Sequence, residues 1–459
     1  MPDIDAILVQ VDANLSLSVD KFMRLLSFPS VSSLTECEQG ILACAEWLKS
    51  ELDALGFETR VVPTGKHPVV MGKYRSNGAG PKILFYGHYD VQPAEPLDEW
   101  VAPPFQPEIK DEDGLRRIYG RGAADSKSQF WSIIEALRSW KQVEGDLPAN
   151  VTIVLEGEEE TGSPSLRAFM KENLEALACD VVFNSDSDMW SRTRPAITTR
   201  LKGLLHEKIT ISSQNGDLHS GHFGNVAVNP IRVLTGILST IHDDEGKVAI
   251  DGFYDGVEPV APACGQKWEA LNVEEALCGV SATGSPDEGG LGIVERMWGR
   301  PGVDFNGIWG GNTGTAERSV LPSSASARLT FRLVGQQQPD HIRAVFRKFV
   351  ENRLPCGCRA EFEGSGGSHA VTVRENSPYV TAAARALDAE WPEPSLTKGT
   401  GGAVPAVGLF TDLLGVDCVT MGFILGDDAI HAPNERYDVE RLRKGIRSWV
   451  RVLSELTGR

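Results

Sequence analysis

The sequence predicts an α/β fold: a mixed, mostly parallel sheet sandwiched by helices, with an inserted α+β domain. Three observations carry this. Short apolar runs of β type alternate with helical periodicities through the first third of the chain. The texture changes near His206 to strand, loop and glycine-rich segments. The alternation returns from Ser377 onward. Strands separated by amphipathic helices imply βαβ units and a sheet covered on both faces.

Each element follows from its spacing. Ile41, Leu42, Ala45, Leu48, Leu52 and Leu55 recur at helical intervals, and Gly56 stands where a C′ glycine belongs. Val61-Val62, Val69 to Met71 and Ile83 to Tyr86 read as strands. A helix after Lys127 carries Phe130, Ile133, Ile134, Leu137 and Trp140 on one face. Val151 to Leu155 is a short buried-strand pattern. Leu166, Phe169, Met170 and Leu174 mark a helix, and Val181 to Phe183 a strand.

From His206 to His242 the chain reads as a strand, the loop QNGDLHSGHFGN and a helix starting near Pro230. Asp243 to Gly314 reads as loop-rich. Ala327 to Leu333 is a strand with one exposed face, and a helix follows at about His341 to Asn352. The last stretch supplies a helix over Tyr379 to Glu390, a strand near Val416 to Ile424, and a helix carrying Leu442, Ile446, Trp449, Leu453 and Leu456. The expected organisation is a catalytic domain split into residues 1–205 and 375–459, interrupted by an inserted lid or dimerisation domain at 206–374.

Composition narrows the function. The 459 residues carry a net charge of −18, a poor match to phosphate backbones or anionic membranes. No nucleic-acid or membrane partner is expected. No run of 18 apolar residues is present, and MPDIDAILVQ opens on acids rather than a basic leader, so the expected location is cytoplasmic. Cys37, Cys44, Cys179, Cys264, Cys278 and Cys418 are scattered and read as buried thiols. Cys356-Gly-Cys358 is the only close pair.

Five polar clusters stand directly after apolar strands, where open α/β sheets bind ligands. ILFYGHYDVQP holds His88 and Asp90 two apart, on one face of an extended segment, where a carboxylate can fix an imidazole's tautomer. IYGRGAADSKSQF places Asp125 between a glycine-rich turn and a helix, a position that also suits an N-cap. VTIVLEGEEETGSPS crowds Glu156, Glu158, Glu159 and Glu160, which repel one another unless a cation sits among them. VVFNSDSDMW offers Asp186 and Asp188, and MGFILGDDAIHAPNE offers Asp427, Asp428 and His431. Two imidazoles and several carboxylates at one sheet edge, without a suitable cysteine set, fit a hydrolytic zinc or related divalent site. Neither G-x-G-x-x-G nor a P-loop is present.

These five segments, in this order from GHYDVQP to GDDAIHAPNE, resemble the metallopeptidase family that includes carboxypeptidase G, aminoacylase, succinyl-diaminopimelate desuccinylase and carnosinase. The long insert and its DLHSG motif most resemble the branch of carnosinase and cytosolic nonspecific dipeptidase. The resemblance implies two divalent metal ions per subunit, with zinc expected and manganese or cobalt suited to the same ligands. His88 and Asp186 would hold one ion, Glu160 and His431 the other, and Asp125, followed by a cis peptide, would bridge them. Asp90 would support His88, and Glu159 would be the general base. Glu158 and Asp188 remain one-residue and two-residue alternatives to Glu159 and Asp186.

The resemblance further implies a homodimer through the inserted domain. His219 of GDLHSGHFG would stabilise the oxyanion, reaching the partner's site in dimeric relatives, and Arg332 of LTFRLV would hold the substrate carboxylate. The implied activity is hydrolysis of an amide bond in a small substrate carrying a carboxylate, above all a dipeptide. An N-acyl-amino-acid deacylase is the alternative with the same site. A non-catalytic metal- or peptide-binding protein is the alternative of another class, against which Glu159 stands, since binding needs no base. KGTGGAVPAV departs from the family's Gly-Gly-Ser-Ile-Pro loop: Ala403 replaces the branch's serine, and Thr400 the acid before the glycines.

Overall fold

The computed structural model describes residues 3–78, 80–271, 288–315, 318–402 and 404–458. The chain forms two units. The first comprises Met1–Thr199, Val373–Lys398 and Pro405–Arg459, the second Arg200–Thr372 and Gly399–Val404. Ala403 and Cys278 lie outside the described residues.

The strands of the first part of the chain are β1 (Glu58–Val62), β2 (Val69–Tyr74), β3 (Lys82–His88), β4 (Glu108–Glu112), β5 (Leu115–Tyr119), β6 (Asn150–Glu156), β7 (Val181–Asn184) and β8 (Ala196–Leu201). The second unit carries β9 (Gly203–Ser212), β10 (Leu218–His219), β11 (Gly302–Gly310), β12 (Val320–Leu321), β13 (Ser324–Leu333), β14 (Arg359–Glu363) and β15 (Val371–Thr372). The remainder supplies β16 (Leu396–Thr400), β17 (Asp417–Thr420) and β18 (Arg436–Asp438).

In the first unit the main sheet runs β1-β2-β6-β3-β7-β17-β8. Its four central strands are parallel, with β6 and β7 on either side of β3 and β17 beside β7. The flanking pairs are antiparallel. Adjacent residues of a strand face opposite ways, and β3 shows what each face meets. Phe85 packs edge-on against Trp449 of the C-terminal helix Val439–Thr457, while Tyr86 meets Phe410 of the helix Pro405–Leu414. The sheet is thus sandwiched by helices. The helix Lys127–Glu144 buries Phe130, Ile133, Ile134, Leu137 and Trp140 and stops at Gly145, which takes the left-handed conformation at φ 75°.

An N-terminal helix not expected from the sequence, Ile4–Leu26, buries Ile7, Leu8, Val11, Val19, Phe22, Leu25 and Leu26. Asp3 caps it, accepting the Ala6 N–H at 3.0 Å. The strand expected near Val416 to Ile424 is regular only over Asp417–Thr420. Beyond it the chain crowds the segment after β7: a Cβ on Gly422 would lie 2.3 Å from the Ser187 carbonyl oxygen.

The second unit is built on the antiparallel sheet β11-β13-β9-β14. Leu205, Ile209 and Ile211 of β9 and Leu329 and Phe331 of β13 form its core with Leu234, Ile342 and Phe346 from two helices. Within the stretch read as loop-rich, the described residues contain the helices Pro262–Glu269 and Ile293–Gly299 and the strand β11. A register shift between Phe305 and Gly307 interrupts the strand's alternation, which hid it from periodicity. Cys44, Cys264 and Cys418 are buried, but Cys37 and Cys179, expected to be buried as well, are only half-buried; Cys356 is exposed and Cys358 half-buried. That pair lies in a turn closed by the Cys358 N–H on the Pro355 carbonyl at 3.0 Å.

Candidate metal centre

The carboxyl ends of the parallel strands deliver the site. His88 is the last residue of β3 and is fully buried. Its Nε2 lies 3.3 Å from Asp125 Oδ1 and 3.8 Å from Asp186 Oδ2. His431 Nε2 lies 2.8 Å from Asp125 Oδ2 and 3.4 Å from Glu160 Oε2. Asp125 therefore turns one oxygen to each imidazole. Two triplets result, His88-Asp125-Asp186 and Asp125-Glu160-His431, each with ligand atoms within 4.8 Å of one another. The Asp125–Ser126 peptide is cis. His431 sits in the left-handed region at φ 59°, a conformation uncommon for a non-glycine residue.

Supporting groups fix these side chains. His88 Nδ1 faces the Asp90 carbonyl oxygen at 3.0 Å and the Asp90 carboxylate at 3.4 Å. That carboxylate also accepts the backbone N–H groups of Glu159 and Glu160, at 3.2 and 3.1 Å. The Gln92 amide donates to Glu160 Oε2 at 2.8 Å. Sequence reasoning passed over Gln92 and Glu435. The buried Glu435 carboxylate accepts from Arg121 at 2.9 Å and from the backbone N–H groups of Gly122, Ala124 and Asp125 at 2.8, 2.8 and 3.0 Å. It thereby shapes the turn that presents Asp125. Its only sequence signal is an acid ending the HAPNE segment.

The structure separates the neighbouring acids. Glu158 is buried away from the cluster, accepting the His67 N–H at 2.6 Å, the Thr64 hydroxyl at 3.0 Å and the Ser165 N–H at 3.1 Å. Glu156 accepts from the hydroxyls of Tyr86 and Ser163. Asp188 pairs with Lys398, and Asp427 and Asp428 pair with Arg192 and Arg441. Glu159 is different: among the described residues its carboxylate accepts no hydrogen bond. Burial pushes the Glu159 carboxyl up to about 8, opposed by His88 and reinforced by Asp186, Glu160 and Asp90.

The donor set fits divalent cations. His88 Nε2 and Glu160 Oε1 are buried without a hydrogen-bond partner. Burial, with the Asp125 charge, pushes Asp186 up to about 7. Hydrogen bonds to Asp125 and Glu160 push His431 up to about 10. Burial alone would raise the Asp125 carboxyl, but the hydrogen bond with His431 and the nearby His88 imidazole hold it well below the carboxylate range. Carboxylates this crowded hold protons in place of cations, and cation binding releases them.

Two other predicted residues belong to the second unit. His219 is exposed at the end of β10, and its Nδ1 accepts the Gly221 N–H at 3.1 Å. That bond leaves Nε2 as the protonated donor. The His222 ring lies 4.7 Å from it, centroid to centroid. Arg332 lies on β13 opposite Leu204 and, among the described residues, forms no ion pair.

Residues 84–455 match the model of peptidase family M20/M25/M40, and the chain belongs to that family. It is a metal-dependent hydrolase. It is similar to the Cys-Gly metallodipeptidase DUG1 of Candida albicans, 28% identical over 456 residues that cover 94% of this chain and 92% of the relative. It is similar as well to the Beta-Ala-His dipeptidase of Rattus norvegicus, 25% identical over 428 residues covering 89% and 85%. Among solved structures, the M20 family metallo-carboxypeptidase Sso-CP2 of Sulfolobus solfataricus superposes with a TM-score of 0.83 at 28% identity, covering 96% of this chain and 99% of that one.

Proposed function

We propose that the chain is a dipeptidase whose two divalent ions, zinc by preference, are held by His88 and Asp186 on one side and by Glu160 and His431 on the other, with Asp125 shared. The observation that carries this reading is the pair of triplets joined at Asp125 beside an unengaged Glu159. When bound, such ions polarise a carbonyl and lower the pKa of water towards neutrality. Glu159 takes the proton of the attacking water and passes it to the leaving amine, work open to a carboxylate that, among the described residues, no other group engages. Asp90 orients His88 and the Glu159–Glu160 turn. His219 donates through Nε2 to the oxyanion, and the guanidinium of Arg332 receives the substrate's carboxylate through paired hydrogen bonds.

The same reading includes a homodimer formed through the inserted domain, in which His219 serves the partner's site. An edge strand supports it: β11 exposes Phe305, Ile308 and Trp309, an apolar strand edge of the kind that pairs with a second copy. A cytoplasmic location belongs to the proposal too. The free thiols of Cys356 and Cys358 suit a reducing compartment. Among the described residues, no helix is long and apolar enough to cross a membrane.

The test is turnover by metal-loaded enzyme on matched panels of dipeptides, longer peptides and N-acyl amino acids. Cleavage of dipeptides above the other two supports the reading. Cleavage of acylated substrates alone makes the enzyme a deacylase, and cleavage of longer peptides from the C-terminus makes it a carboxypeptidase.

A further inference from the structure

The two imidazoles of the metal centre are held in different ways. His88 ends a buried strand, and the Asp90 carbonyl oxygen meets its Nδ1. The His431 side chain is 53% exposed. Among the described residues no group bonds its Nδ1, and its Nε2 meets only Asp125 and Glu160, the acids of its own triplet. No regular element fixes this ring either. Residues 425–435, between β17 and β18, form neither helix nor strand. Three non-glycine residues there take the left-handed conformation: Ala429 at φ 56°, His431 at φ 59° and Asn434 at φ 64°. A Cβ disfavours that conformation, so such a backbone persists only where its surroundings hold it.

Two anchors hold it, three residues before His431 and three after. The first is Asp428, 2% exposed. Its Oδ2 accepts the Leu425 N–H at 2.7 Å and Arg441 Nη1 at 2.8 Å, and its Oδ1 accepts Arg441 Nη2 at 2.5 Å. Arg441 lies in the first turn of the C-terminal helix, its guanidinium 4.3 Å from the centre of the Tyr437 ring. The Asp428 carbonyl oxygen accepts the Arg436 N–H at 3.0 Å, which closes the loop around His431. The neighbouring charges are paired too. Asp427 meets Arg117 and Arg192, and Asp438 meets Arg117, Arg192 and Arg441. The second anchor is Asn434. Its Oδ1 accepts the Val101 N–H at 2.8 Å, and its Nδ2 donates to the Glu99 carbonyl at 2.9 Å. Trp100, between those two residues, is itself fixed. Its Nε1 donates to the Ala94 carbonyl at 2.7 Å, and the Arg121 guanidinium lies 5.3 Å from its ring centre.

We propose that Asp428 and Asn434 are positioning residues for His431, and that they set the affinity of the ion held by Asp125, Glu160 and His431, the more weakly bound of the two. This ranking rests on the two-ion reading of the centre and adds an order to it. A ligand that must be ordered when the ion arrives charges that ordering against binding, whereas one already in place does not. The sheet places His88 whether or not an ion is present. His431 is in place only while its loop is anchored at both ends. Loosening either anchor therefore weakens one site and spares the other. Neither Asp428 nor Asn434 touches an ion in this scheme; each acts through the backbone that carries the imidazole.

The test is dialysis of zinc-loaded enzyme against graded chelator, with zinc per chain read by elemental analysis and Tm measured on the same samples. The parent should lose its ions in two steps. H431A, which lacks the ligand itself, should keep only the later step and so marks the first as the His431 site. N434G keeps a residue suited to the left-handed backbone and deletes both bonds to the Glu99–Val101 segment. Its first step should move to about tenfold lower chelator while the second stays in place. D428N should move the first step further; if that variant does not fold, N434G decides alone. An unmoved first step in N434G, or both steps moving together with Tm, overturns the proposal and leaves the two-ion centre standing. Release of both ions from the parent in a single step overturns the ranking in the same way. A parent that never takes up a second ion overturns the proposal and the two-ion reading together.

Discussion

Asp90 accepts the backbone N–H of Glu160 at 3.1 Å while its own carbonyl oxygen faces His88 Nδ1 at 3.0 Å. One residue thus ties the end of β3 to the turn after β6. It holds an imidazole of one triplet and a carboxylate of the other. D90A removes the acceptor for both N–H groups of the half-buried Glu159–Glu160 turn. The expected loss is about 10- to 100-fold in metal affinity, with a parallel fall in kcat. Metal content after graded dialysis, alongside circular dichroism to confirm folding, measures it. Full metal retention and full activity would show that the turn holds itself.

Glu159 differs from the acids around it in having nothing to hold. E159Q keeps the shape of the side chain and removes the base. The expected effect is a fall in kcat of about 10²- to 10⁴-fold, with the metal content of the parent. Turnover and elemental analysis on one preparation separate the two effects. E158Q makes the converse case. Its damage should fall on stability, because that carboxylate serves His67, Thr64 and Ser165.

The contrast between Glu158 and Glu159 also marks what a sequence reveals. The run after Val151–Leu155 announces that carboxylates meet at a sheet edge, because a buried strand feeds it. It does not say which carboxylate turns inward. That depends on the 3-10 turn Glu159–Thr161 and on Thr64 and His67, nearly a hundred residues away. Asp186 and Asp188 are divided in the same manner by Lys398. The strands β3, β6 and β7 and the helix Lys127–Glu144 were legible because burial imposes a period on them. The strand β11 was not, since glycines and a bulge break its alternation. Glu435 escaped notice because its work is to accept backbone N–H groups of a distant turn, a role that leaves no local pattern.

The His219 assignment makes a prediction that activity of single variants cannot decide. H219A and E159Q should each be nearly inactive. If His219 serves the partner's site, a mixed dimer of the two contains one site with both residues intact. Dissociating and reassociating an equimolar mixture should restore about a quarter of parental activity: half of the dimers are mixed, and each has one competent site of two. Independent sites within each subunit would leave the mixture as inactive as its components.

Lys202 offers a test in the second unit that is independent of the metals. It is 8% exposed, and burial, with the charge of Arg332 nearby, lowers its pKa from the ordinary 10.5 to about 8. Between those two values the unfolded chain binds a proton that the folded chain does not, so stability rises with pH across that window. Below pH 8 the full penalty of about 3 kcal/mol is present. The hydrogen bond from Lys202 Nζ to the Arg296 carbonyl, 3.3 Å long, orients the ammonium without cancelling that penalty. K202M removes the buried charge and should raise Tm at pH 7. The advantage should shrink as pH climbs from 8 towards 10.5 and close beyond it, where the lysine is neutral in both states. Thermal unfolding of parent and variant across that range reads the difference directly. A gap in Tm that stays constant with pH would mean that packing of the methionine, not relief of a buried charge, is responsible.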